Sequence, residues 1–307
     1  MTAAIETENL CKLYRGRKGR HVEALKNLNL EIYKGEVFGF LGHNGAGKST
    51  TMKILMGLIF PTSGSFRING ERADSWAYRK AIGYLPENPA FHEYLTGEEV
   101  LAFAGEAFGM AVSAVRSKSE RLLKSLDLSE ARKRPVRGYS KGMVQRLGLA
   151  QCLLHDPDIL ILDEPMSGLD PLGRIMVRDM ILGLKDQGKC VFMSTHILND
   201  VETICDRVGI IVRGQMRLVE SLDNIVRKGI RGYTVTFSSL SPHMKASLAL
   251  LSGGHTRPES EKTYYVGIEN FEDVLSRAAA DEGTSLQLIE PVRRHLEDLF
   301  TELAHEE

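Results

Sequence analysis

The stretch GHNGAGKST, Gly42 to Thr50, joins a glycine-rich run to one lysine and neighbouring hydroxyls, a combination suited to holding a phosphate chain. It fills the spacing G-x-x-x-x-G-K-S with Gly42, Gly47, Lys48 and Ser49. Glycines let the backbone fold tightly, so that the successive N–H groups of His43, Asn44, Gly45 and Ala46 can turn toward one anion. Lys48 then reaches the β- and γ-phosphates, and the Ser49 hydroxyl, with Thr50 beside it, is a ligand for Mg²⁺. A second cluster is DILILDEP, an apolar run ending in two adjacent carboxylates. Asp163 suits the surroundings of the Mg²⁺, and Glu164 can polarise a water in line with the γ-phosphate. A third is STH, Ser194 to His196, after the apolar run CVFMS. Alone, His196 reads as a surface histidine; beside the other two clusters it becomes a candidate γ-phosphate contact.

These residues need a scaffold. VFGFL, before the loop, is a short apolar run of the kind buried on both faces of a parallel sheet, and a helix is expected from Lys48 onward. That helix would aim its positive N-terminal end at the phosphates. The carboxyl ends of parallel strands, where ligands collect in such sheets, would then carry all three clusters.

Two stretches compete for a further role. YSKGM, Tyr139 to Met143, looks ordinary, whereas LSGGH, Leu251 to His255, looks like a phosphate-contacting signature. After YSKGM, Met143, Leu147, Ala150 and Leu154 recur at helical spacing, and the segment runs directly up to the Asp-Glu strand. After LSGGH, Pro258 and polar residues deny a helix start of any length. YSKGM therefore offers a serine and a glycine at a helix start, whereas LSGGH reads as a loop between a helix and a strand.

The order of these motifs resembles the nucleotide-binding subunit of ABC transporters over roughly residues 4–220. The resemblance implies an α/β P-loop NTPase cassette: a mixed sheet core, an antiparallel β subdomain, and a helical subdomain at about 96–154. In that family two cassettes sandwich two ATP molecules, each held by one subunit's P-loop and the other's signature. It implies that Ser140, Lys141 and Gly142 face the partner's ATP, that Tyr14 stacks on adenine, and that SGLD, ending at Asp170, crosses the dimer interface. Three signature positions depart from the usual LSGGQ: Tyr139, Lys141 and Met143. Lys141 adds a positive charge near the partner's γ-phosphate. At IGYLPENP the family typically has glutamine where Glu87 stands; ABC-2 cassettes often have Glu there, and a carboxylate can still take a Mg²⁺ ligand role.

The reaction implied is ATP plus water to ADP plus phosphate, powering a separate membrane permease, most closely of the ABC-2 export type. The cassette would sit in the cytoplasm on the inner face of the membrane, paired as a homodimer. The groove receiving the permease would include Tyr84 to Leu95. Composition agrees: a formal net charge of −1 supplies no global field for nucleic acid, and no apolar run approaches the length of a spanning helix. An acidic N-terminus without an apolar core does not read as a signal peptide, and the four cysteines lack metal or disulfide spacing. The alternative is a soluble ABC ATPase acting on ribosomes or DNA, but paired cassettes and long coiled-coil arms are missing. A guanine-reading N-K-x-D motif is missing too.

Two further expectations concern the periphery. The basic run RGRKGR, Arg15 to Arg20, is a solvated loop or a contact with anionic lipid or phosphate. From 221 to 307, YTVTF, TYYVGI and TSLQLI read as strands and PHMKASLALL, ENFEDVLSRAAA and RRHLEDLFTELA as helices. That pattern is a small α/β accessory domain without a catalytic cluster, suited to packing and dimer support or, alternatively, to regulation or substrate sensing.

Overall fold

The computed structural model describes residues 2–15, 21–72, 76–228, 230–251, 256–293 and 296–305. Residues 16–20 of the basic run and 252–255 of LSGGH lie outside the described residues. The chain divides into two compact units, Met1–Ser221 and Leu222–Glu307.

The first unit opens with a hairpin of two strands, β1 (Ala3–Arg15) and β2 (His21–Tyr33). Residues 4 to about 35 read in sequence as short strands, whereas the two strands of the hairpin are longer and carry irregularities at Asn9 and Asn27. Both adopt left-handed backbone, φ 47° and 46°, and form bulges that keep the ladder continuous. The Asn29 side chain accepts from the Asn9 N–H at 2.8 Å, so the interruption is hydrogen-bonded rather than broken. Next come β3 (Val37–Leu41), α1 (Lys48–Leu55), β4 (Ser63–Ile68), β5 (Glu71–Arg72) and β6 (Ile82–Leu85). A helical stretch succeeds them: α2 (Gly97–Ala107), α3 (Val112–Ser125) and α4 (Lys141–Leu153). The unit closes with β7 (Ile159–Asp163), α5 (Pro171–Asp186), β8 (Cys190–Thr195), α6 (Leu198–Ile204), β9 (Arg207–Val212) and β10 (Gln215–Ser221).

Two sheets result. One is antiparallel, in the order β2-β1-β4-β5; the other is mixed, in the order β10-β9-β3-β8-β7-β6. In the mixed sheet β9, β3, β8, β7 and β6 run parallel and only β10 is antiparallel. A shared core joins the sheets, with Leu25, Leu28 and Ile32 of the first packed among Phe38, Phe40, Met52 and Phe192 around the second. The Phe192 ring lies 6.0 Å from Phe38 and 5.3 Å from Phe40. Each such fully buried side chain stabilises the fold by about 1.5–3 kcal/mol.

Helix starts obey local chemistry. Thr96 and Glu99 form a reciprocal capping box at α2, the Thr96 side chain accepting from the Glu99 N–H and the Glu99 carboxylate from the Thr96 N–H. Ser140 caps α4 by accepting from the Met143 N–H at 3.2 Å, and Asp170 caps α5 ahead of Pro171. α4 is buried far beyond the single stripe that its spacing predicts: Gln145, Leu147, Gly148, Leu149, Ala150, Cys152 and Leu153 are all inaccessible. Its first turn, Lys141 to Val144, stays accessible, while the part from Leu147 onward is buried on most sides as a core element, which blurs the sequence periodicity there.

The second unit contains α7 (Leu222–Lys228), β11 (Ile230–Ser239), α8 (Pro242–Leu250), β12 (Thr256–Pro258), β13 (Thr263–Gly267), α9 (Ile268–Ala280), β14 (Ser285–Arg293) and α10 (Leu296–His305). Its antiparallel sheet has the order β12-β13-β11-β14, and Val235, Phe237 and Val266 share a core with Met244 and Leu248 of α8 and Val274 of α9. The strand TSLQLI extends further than its alternation predicts. Arg293, expected in the last helix, instead ends β14, because β11 pairs with it through Ile230.

Candidate nucleotide-binding site

Register brings the three clusters together. In the parallel sheet Leu41 lies level with Thr195, Asp163 with Ser194, and Leu85 with Leu162. The chain leaving each strand therefore emerges at one edge. There a cleft of about 320 Å³ is lined by His43, Asn44, Gly45, Gly47, Lys48, Ser49 and Thr50 from the loop. Glu87, Asp163, Glu164, Ser167 and His196 complete its wall.

The loop is drawn tight by an Ala46 N–H to His43 C=O bond at 3.0 Å, and Gly47 sits at φ 116°, which a side chain would not tolerate. The Lys48 ammonium folds onto its own loop, donating to the Gly42 carbonyl at 2.5 Å and the His43 carbonyl at 3.4 Å. Burial pushes its pKa down, while the Glu164, Asp163 and Glu87 carboxylates pull it up. An anion entering the cleft would complete the neutralisation of this lysine. Across the cleft the His196 Nδ1 lies 2.9 Å from a Glu164 carboxylate oxygen. Glu164 is buried and its backbone is left-handed, φ 51°, a conformation that a non-glycine residue adopts when its surroundings hold it.

Ser49, Asp163 and Glu87 supply a hydroxyl and two carboxylates to the same cleft. This all-oxygen set fits Mg²⁺, which takes few protein ligands and completes its shell with water and phosphate oxygens. One Asp163 oxygen is already taken by the Ser194 hydroxyl at 2.5 Å, leaving the other for the metal's surroundings.

Other expected site residues lie outside the cleft of their own chain. Gly42 and Ala46 stand behind it within the loop. Tyr14 is half-exposed near the end of β1, with the Lys12 ammonium 5.1 Å above its ring. Ser140, Lys141 and Gly142 form the start of α4, beside the loop that ends at Asp170: Gly142 faces the Gly168 carbonyl, and the stem of Lys141 lies across Gly168. The Ser140 oxygen accepts a bond from its own helix, which leaves its O–H free to donate. Two residues of the site, Ser194 of the STH cluster and Gln145 after YSKGM, received no role from the sequence. Ser194 and Gln145 hold Asp163 and Glu164, and only strand register and helix packing bring them there.

A glycine-rich loop between a parallel strand and a helix, opposed by an acidic pair on the next-but-one strand, defines the P-loop nucleotide-binding class. Comparison with known proteins narrows the class. The profile of the family described as ABC transporter matches residues 25–167. An uncharacterized ABC transporter ATP-binding protein of Nostoc sp. is 44% identical over 228 residues, covering 73% of this chain and 68% of that protein. The bacitracin transport ATP-binding protein BcrA of Enterococcus faecalis is 33% identical over 309 residues, covering 99% of this chain and 97% of that one. Among solved structures, a dimeric bacterial ABC transporter cassette superposes with TM-score 0.67 at 26% identity, covering 71% of this chain and 98% of that chain. A related dimer, described as a post-hydrolysis state bound to ADP and phosphate, gives 0.66 at the same 26% identity, covering 71% of this chain and 98% of that chain. This chain belongs to the ABC transporter ATP-binding family. No helix among the described residues is long and apolar enough to cross a membrane.

Proposed function

We propose that this chain hydrolyses ATP to power transport through a separate membrane permease, working as a pair of identical cassettes in an exporter of the ABC-2 type. The observation that carries the reading is the similarity, along nearly the whole of both chains, to a bacitracin transport ATP-binding protein. The outward direction rests on the resemblance of Glu87 to the glutamate that ABC-2 cassettes often carry there, and the place on the cytoplasmic face on the resemblance to ABC transporter nucleotide-binding subunits.

ATP enters the cleft with its phosphates over the loop, and Lys48 exchanges the Gly42 and His43 carbonyls for phosphate oxygens. Ser49, with Asp163 and Glu87 near it, would hold Mg²⁺, which would supply charge to neutralise the phosphates. Closure of a second chain sets its Ser140, Lys141 and Gly142 over the γ-phosphate at the start of α4, where orphan N–H groups attract anions. Tyr14 meets the adenine, and Asp170 holds the loop that crosses between the chains. Glu164 then takes a proton from the attacking water while His196 holds both Glu164 and the γ-phosphate. Phosphate release reopens the pair, and the loop around Glu87 carries the motion to the permease. The second unit, 222–307, supports the dimer.

Co-purification with a six-helix membrane protein encoded beside it, and cargo-stimulated ATPase activity of that complex, are the expected results. Association with ribosomes or DNA in place of a membrane partner would refute the assignment.

Lys141 has a testable part in this closure. Its stem is braced on Gly168, and its ammonium has no partner within its own chain among the described residues. A cation at a helix N-terminus is unfavourable for the helix itself, so a facing phosphate would relieve it. In a Glu164→Gln background, Lys141→Glu is expected to raise the ATP concentration needed for dimerisation about tenfold. Analytical ultracentrifugation across an ATP series checks this, and an unchanged midpoint removes Lys141 from the contact.

A further inference from the structure

Glu164 is gripped at both ends of its peptide. Its N–H donates to the Ser194 hydroxyl at 3.0 Å and to the Ser194 carbonyl at 3.2 Å. Its carbonyl accepts from the Gln145 amide nitrogen at 3.3 Å, and the same nitrogen donates to the Pro165 carbonyl at 3.3 Å. Both acceptors are carbonyls, so chemistry alone fixes which end of the Gln145 amide faces them. Gln145 is 2% exposed and Ser194 is fully buried, so water does not compete for these bonds. Between the two grips Glu164 holds its left-handed backbone, φ 51°, which aims its carboxylate at His196.

The two residues come from different parts of the unit. Ser194 is the penultimate residue of β8, in register with Asp163, and its hydroxyl donates to Asp163, so it ties the acidic pair to the rigid sheet. Gln145 stands on α4, five residues after the Ser140 cap, which is roughly 7–8 Å along the axis at 1.5 Å per residue. A buried helix moves as a body. Any shift of its N-terminus therefore reaches the Glu164 and Pro165 carbonyls through one side chain.

We propose that Gln145 and Ser194 are positioning residues for Glu164, and that Gln145 transmits closure of α4 on the partner's nucleotide to the Glu164 of its own chain. The inference rests on the proposed role of Glu164, and adds to it a route by which one nucleotide site governs the other. Ser194 supplies the fixed point, and Gln145 the movable one. Without the Gln145 amide the Pro165 carbonyl loses this donor, the Glu164 carbonyl keeps only the Ser167 N–H at 3.0 Å, and the left-handed turn loses one of its supports.

The test uses the full chain with Gln145→Met, Ser194→Ala and Glu164→Gln measured in parallel. Methionine keeps the length and helix preference of glutamine but cannot donate. Gln145→Met is expected to lower kcat about 10- to 100-fold, as loss of a supporting hydrogen bond does elsewhere, with KM for ATP within about twofold. It should also bring the Hill coefficient for ATP from above 1 in the wild type to about 1, since the link between sites is cut. Ser194→Ala should lower kcat with the same KM split but keep the wild-type Hill coefficient. Should Gln145→Met prove insoluble, Gln145→Asn, which retains the amide but falls one methylene short, is read by the same criteria. An unchanged kcat in Gln145→Met, or kcat and ATP affinity lost together, overturns the positioning role. A non-cooperative wild type, or a Gln145→Met that keeps the wild-type coefficient, overturns the transmission. Normal turnover by Glu164→Gln would instead sink the underlying role of Glu164, which separates the two failures.

Discussion

Glu164→Gln is expected to slow ATP turnover by about 10²- to 10⁴-fold, the range that a positioned general base contributes, while ATP still binds. The geometry separates the two functions of this side chain. Its carboxylate oxygen lies 2.9 Å from the His196 Nδ1, and a glutamine carbonyl oxygen in the same place can still accept that hydrogen bond. The backbone grips from Ser194 and Gln145 do not involve the side chain and survive the substitution. What disappears is basicity. Removal of one negative charge from a cleft that also holds Asp163 and Glu87 further reduces repulsion against the phosphates. Binding and closure should therefore persist or strengthen while hydrolysis stalls. Size-exclusion chromatography with ATP should show a long-lived dimer, and single-turnover phosphate release should show the loss. Undiminished release would remove Glu164 from the reaction.

The loop and the acidic pair were legible in the sequence because their chemistry is local. Gly42, Gly47, Lys48 and Ser49 sit within one turn of chain, and Asp163 and Glu164 are adjacent on a strand that announces itself by being wholly apolar. YSKGM is distinguished from LSGGH by the residues downstream of each stretch. Lys141–Leu153 is a helix capped by Ser140, whereas Ser252–His255 fall outside the described residues. The roles of Ser194 and Gln145 were not legible because they are non-local. One depends on β7 and β8 pairing Asp163 with Ser194, the other on a helix packing against the turn after β7. A buried glutamine after a signature and a serine on an apolar strand were the available signals, and neither specifies its partner. In the second unit, alternation revealed β11 and β13 but not β12, whose three residues include Pro258 and gain strand form only by pairing with β13.

Gly47→Ala should damage the site by steric force rather than by chemistry, and a neighbouring glycine provides the comparison. Gly47 has φ 116° and Gly45 has φ 83°, so alanine at either position meets a backbone cost of about 1–3 kcal/mol. Their surroundings differ. A Cβ on Gly45 meets nothing within 4 Å, whereas one on Gly47 comes within 2.7 Å of the Ala24 carbonyl oxygen and 2.8 Å of the Leu25 Cδ2. Ala24 and Leu25 belong to β2, and Leu25 is fully buried, so neither atom can retreat without disturbing the hairpin. The loop must move instead. Gly47 immediately precedes α1 and its carbonyl accepts from the Thr51 N–H, so displacement carries the helix start and Lys48 with it. Gly47→Ala is expected to weaken ATP binding about 100-fold, since an ångström-scale misplacement of a positioned group has costs of that size. It should also lower Tm more than Gly45→Ala does, by about 2–4 °C for each additional kcal/mol in a domain of this size. Fluorescent-nucleotide titration and thermal melts of the two variants measure both effects. Equal melting temperatures would mean that the contact with Ala24 and Leu25 yields freely, and the tight fit of the loop against β2 would lose its place in holding Lys48 over the phosphates.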